Sequence, residues 1–92
     1  MITQYNEVKG IRAVLTPQEK EREIILDEAF TYLKLEIKKY CQVAMWVNNS
    51  EEEDYILVDN SVELRDLSIN KVKLKLIEIG RDEVNMQLIL MK

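Results

Sequence analysis

Large apolar residues recur from Leu26 through Phe30, Leu33, Ile37 and Tyr40, at spacings of four, three, four and three. On a helix of 3.6 residues per turn these positions share one face, and Ile25, Ala29 and Tyr32 widen it. The stripe is preceded by Thr16-Pro17-Gln18-Glu19, a capping box with proline at the first helical position. The threonine hydroxyl accepts from the glutamate amide there, and proline supplies no N–H where none would be bonded. Glu19, Glu21 and Glu23 would lie at the positive end of the helix dipole, with Lys34, Lys38 and Lys39 at its negative end. Together these signs predict an amphipathic helix over about 17–40.

Beyond that point the period changes to two. Cys41, Val43, Met45 and Val47 alternate with Gln42, Ala44 and Trp46, which predicts a strand. Asn48 to Asp54 reads as a polar loop, Tyr55–Asp59 as a returning strand, and 62–69 as either a short helix or a strand. Near the end, Val72, Leu74 and Leu76 alternate with Lys71, Lys73 and Lys75, and Val84, Met86, Leu88 and Leu90 alternate after Gly80. This predicts a C-terminal β-hairpin over 71–92, with a β-bulge at Leu76–Ile77 where the alternation slips. The expected fold is therefore α+β: one long helix packed on a mostly antiparallel sheet of four to five strands. Ninety-two residues suit a single domain over 1–92. Residues 1–15 are the least legible part, an arm or an edge strand, with Ile11–Leu15 as a short strand.

Composition narrows the chemistry more than it names a function. The chain has no histidine, one cysteine and two glycines. Without histidine there is no Ser-His-Asp or Cys-His catalysis and almost no catalytic zinc site. One cysteine builds neither a structural zinc site nor an iron–sulfur cluster, and two glycines make no dinucleotide fingerprint or phosphate-cradling loop. Glu51-Glu52-Glu53-Asp54 lacks the alternating ligands and turn glycine of a calcium loop. Cys41 reads as a small buried hydrophobe rather than an activated thiol. No catalytic residue, cofactor or metal is expected, and the chain is not read as an enzyme. The lone cysteine, with no secretory signal and no apolar run long enough to span a bilayer, points to the cytoplasm.

The leading functional expectation is a small acidic protein-binding module, an inhibitor or adaptor of the kind that phages and mobile elements encode. Its net charge of −4 argues against nucleic acid as partner. The candidate surface is acidic or lies on a strand edge: Glu19, Glu23 and Asp27, the loop Glu51, Glu52, Glu53 and Asp54, Trp46 as an aromatic anchor, and Ile89 and Met91 on the final strand. A homodimer through that apolar strand is part of the expectation. Two alternatives stand beside it: a small-ligand pocket (nucleotide or metabolite) lined by Tyr32, Tyr40 and Trp46, and nucleic-acid binding through the Lys71–Lys75 stripe.

Overall fold

The computed structural model describes residues 7–38, 42–77 and 83–92. Six strands follow in order: β1 Val8–Leu15, β2 Glu21–Ile37, β3 Val43–Val47, β4 Ile56–Val58, β5 Ser61–Leu76 and β6 Val84–Met91. They form one sheet in the order β1-β6-β2-β5-β3-β4, with every neighbouring pair antiparallel. The fold is all-β, and the α+β expectation fails at its main element. Residues 21–37, expected as most of a helix, are a strand.

The reason lies in how β2 meets β5. Between the pairs Ile25↔Lys71 and Phe30↔Ile69, β2 advances five residues while β5 advances two; between Phe30↔Ile69 and Tyr32↔Arg65, β2 advances two and β5 four. Extra residues on each strand in turn bend the long pair. Inward residues alternate as a strand requires within short runs, Ile24 and Leu26 before the bend and Leu33, Leu35 and Ile37 after it. The shifts splice these runs together, so Leu26, Phe30, Leu33 and Ile37 fall at four, three and four. A bent strand thus imitates the helical period. Asp66, in the second irregularity, takes the left-handed conformation at φ 59°, which aspartate tolerates better than most residues.

The Thr16–Glu19 contact forms, in a different setting. Glu19 N–H donates to Thr16 Oγ1 at 2.9 Å, and Thr16 N–H donates to the Glu19 carbonyl at 3.0 Å. The hydroxyl closes a tight turn around Pro17-Gln18, and the chain leaves it as β2. The same side-chain bond that caps a helix also closes a turn.

The C-terminal hairpin also fails. Residues 71–76 and 84–91 are strands with the expected inward faces, yet β2 lies between them. β5 pairs with β2 and β3, and β6 with β1 and β2. No bulge separates Leu76 from Ile77: Leu76 ends β5, and Ile77 N–H donates to the Gln42 carbonyl at 3.1 Å.

One hydrophobic cluster holds the sheet. It takes Val43, Met45, Val72 and Leu74 from one half and Ala13, Leu33, Leu35, Met86, Leu88 and Leu90 from the other. The sheet must therefore curl over its own inner face. No polar or charged residue is buried among the described residues, so directional interactions lie on the outer face and in the loops.

Candidate functional site

The outer face of β2, β5 and β3 carries a charged ladder. Register places Glu21 beside Lys75 and Ala44, Glu23 beside Lys73 and Trp46, and Ile25 beside Lys71. The ion pairs run diagonally, one step out of register: Lys73 Nζ lies 2.6 Å from Glu21 and Lys71 Nζ 3.4 Å from Glu23. The hydrogen bond from Lys73 holds the Glu21 carboxyl below its usual range, and Glu21 in turn raises Lys73. The offset leaves Ile25 and Lys75 at opposite ends of the ladder, and Ile25 is 73% exposed.

Trp46 closes this face. Although β3 packs its Val43 and Met45 inward, Ala44 and Trp46 on the opposite side are also buried. Lys73 Nζ sits 5.0 Å from the indole centroid and the Tyr55 ring packs at 5.7 Å, tilted by 53°. The indole N–H donates to the Glu52 carbonyl at 3.0 Å. That bond clips the β3–β4 loop onto the sheet, and Asp54 N–H to the Glu51 carbonyl closes the turn within it.

Asn48 fixes the other end of the loop. Its backbone is left-handed at φ 58°, which stops β3. Its side chain continues the ladder instead, donating to the Ser68 carbonyl at 2.8 Å and accepting from Asn70 N–H at 2.9 Å, while its own N–H donates to the Lys71 carbonyl. One amide side chain thus covers the β5 edge where β3 departs. Ser50 Oγ donates to the Val47 carbonyl at 2.6 Å.

Grooves of about 450 and 430 Å³ flank Trp46. Lys20, Lys75, Tyr55 and Ile77 border the first; Glu23, Asn48, Lys71 and Lys73 border the second; Glu52 borders both. Tyr55 and Leu57 stand beside them, 47% and 48% exposed.

The structure therefore gathers Trp46 with Glu51, Glu52, Glu53 and Asp54, and places Glu23 along the same face. Trp46 is a buried clip rather than an exposed anchor. Glu19 lies in the β1–β2 turn, and Asp27 is exposed at the β2 bend. Ile89 and Met91 are elsewhere, half-buried on β6, an interior strand and not an edge. Tyr32 is remote from Trp46: it sits in a row with Arg65 and Met91, its hydroxyl donating to Glu63 at 2.7 Å beneath the Arg65 guanidinium. The pocket expected from Tyr32 and Trp46 is not formed, and Tyr40 and Cys41 lie outside the described residues. Sequence reading missed Asn48, Tyr55 and Leu57. The alternation of Tyr55, just before β4, with Leu57 inside it was the available signal for the last two.

Among the described residues no cluster of acidic side chains, histidine or cysteine is placed to hold a metal ion. No helix among them is long and apolar enough to cross a membrane.

The chain is thus an all-β protein on a single curled antiparallel sheet. No family model matches its sequence, and no curated protein matches it significantly. Among solved structures it is similar in fold to unsaturated fatty acid bound ToxT from Vibrio cholerae, with TM-score 0.54 and 14% identity over 99% of this chain and 32% of that one. It thus spans about a third of that protein. It is also similar to PliG from Aeromonas hydrophila, a periplasmic inhibitor of g-type lysozyme, with TM-score 0.50 and 8% identity over 91% of this chain and 84% of that one. At such identities the likeness is one of fold alone.

Proposed function

We propose that the protein is a non-catalytic protein-binding module, an inhibitor or adaptor that docks a basic partner surface on its β3–β4 loop. The observation that carries this reading is the clip from Trp46 to Glu52. It holds four consecutive acidic residues in a fixed turn by a backbone carbonyl and not through a carboxylate, although the Glu52 charge lies close enough to Lys73 to help raise it. Among the described residues no salt bridge engages Glu51, Glu52, Glu53 or Asp54. Like charges this close raise the local potential, and a pre-ordered loop loses little entropy on binding. Tyr55 and Leu57 add exposed apolar area beside the acids, the mixture that protein interfaces use. By contrast, Lys71 and Lys73 are already committed to Glu23 and Glu21, which argues against a phosphate-reading stripe. The cytoplasm is the location that goes with this reading, from the lone cysteine.

The test is differential capture from one host lysate by the wild-type chain and by an E51K/E53K variant. A partner retained by the first and lost by the second, with melting temperature unchanged, supports the reading. Identical capture by both, or none above background by either, contradicts it. The groove beside Lys20 and Lys75 supports a second reading, a small anionic ligand. A rise in melting temperature with a nucleotide or metabolite panel would favour that one instead.

A further inference from the structure

We infer that β1 is a self-pairing edge, and that two copies of the chain join through it antiparallel with Val8 of each opposite Val14 of the other. Among the described residues β1 pairs with β6 alone and ends the sheet. The direction of its backbone groups follows from its first bonds. Glu7 N–H donates to the Lys92 carbonyl at 2.9 Å, and Lys92 N–H donates to Glu7 at 3.0 Å. Bonding alternates along an antiparallel strand, so Lys9, Ile11, Ala13 and Leu15 face β6. Val8, Gly10, Arg12 and Val14 turn their N–H and C=O groups to the open side.

Those four side chains also share the outer face, because Ala13 and Leu15 point into the core. Val8 is 63% exposed and Val14 36%. Antiparallel pairing about Ile11 sets Val8 against Val14 and Gly10 against Arg12, each twice. Two exposed apolar residues then cover one another. Each arginine lies over a glycine, where a Cβ on Gly10 would meet only Gln87 at 4.0 Å. The four outward residues of each copy all enter the new ladder. Shifting the register by two residues one way puts Arg12 directly opposite Arg12, a destabilising like-charge pair. The shift the other way sets Val8 opposite Arg12 and Gly10 opposite Gly10, so the two valines no longer cover one another. The segment is self-complementary in one register only.

The resulting twelve-stranded sheet would be continuous, with β4 and its acidic loop at each far end. The pairing does not depend on what those loops bind.

Solution mass measured across micromolar to millimolar concentration tests it. The wild-type chain should move from 10.9 kDa to twice that value. A V8K/V14K variant, which sets lysines opposite lysines at two exposed positions, should associate about tenfold more weakly or worse. A V8K/V14E variant, with opposite charges at the same positions, should recover the dimer and so separate lost pairing from lost folding. A wild-type chain that stays at 10.9 kDa, a lysine variant that dimerises as well as wild type, or no recovery in the charge-swapped variant would each overturn the inference.

Discussion

At the scale of single residues, two side chains decide where the acidic loop sits. Trp46 is buried and its indole N–H has one partner, the Glu52 carbonyl. Trp46→Phe keeps most of the packing and removes the bond, and should cost about 1 kcal/mol. Trp46→Ala also opens a cavity and should cost about 3 kcal/mol or more. Urea unfolding of the two variants checks the order; an undiminished stability in Trp46→Phe would mean that the bond to Glu52 adds nothing, and equal losses in the two would mean that the ring's packing adds nothing beyond it. Asn48 gives a second comparison. Asn48→Gly keeps the left-handed backbone and loses both side-chain bonds, for about 1–2 kcal/mol. Asn48→Ala loses the same bonds and adds roughly another 1 kcal/mol of backbone strain. Of these residues, Trp46 was legible as an aromatic on the outer side of a strand. Asn48 was not, because its partners Ser68 and Asn70 are some twenty residues away and no local pattern announces them.

At the scale of elements, β2 is where periodicity misleads. Leu33, Leu35 and Ile37 do alternate, but the bend between Leu26 and Phe30 and the burial of adjacent Tyr32 and Leu33 blur the period of two into one near 3.6. The charges were equally ambiguous. Glu21 and Glu23 suit a helix start, yet they serve as cross-strand partners of Lys73 and Lys71. β3, the alternating half of β5 and β6 were readable because no shift interrupts them. Their pairing was not, since β2 inserts between β5 and β6 from far along the chain. The ladder carries a pH prediction. Glu21 and Glu63 have lowered carboxyl values, the first through its bond from Lys73 and the second through bonds from Tyr32 and Arg65. A folded value below the usual 4.5 stabilises above 4.5, and the contribution fades as pH falls through the lower folded value. Melting temperature should therefore drop as the solution is acidified below 4.5, and an E21Q variant should show a shallower drop. An unchanged slope would show that the ladder does not couple to folding.

At the scale of the whole molecule, the curled sheet separates two kinds of surface. Among the described residues its interior is apolar, so stability rests on burial from both halves of one ribbon. Its exterior carries the charged ladder, the acidic loop, the grooves beside Trp46 and the β1 edge. The acidic composition and the missing catalytic residue types limited the chemistry from sequence alone. The gathering of Trp46 with Glu51–Asp54 needed the β3–β4 loop to fold back over the sheet. All of these placements depend on β2 running extended between β5 and β6. Nuclear Overhauser contacts across Lys34 test that most directly. The structure predicts cross-strand contacts from Lys34 to both Glu63 and Ile89, as the two registers require. Strong sequential amide–amide contacts through residues 21–37, with none to β5 or β6, would contradict it.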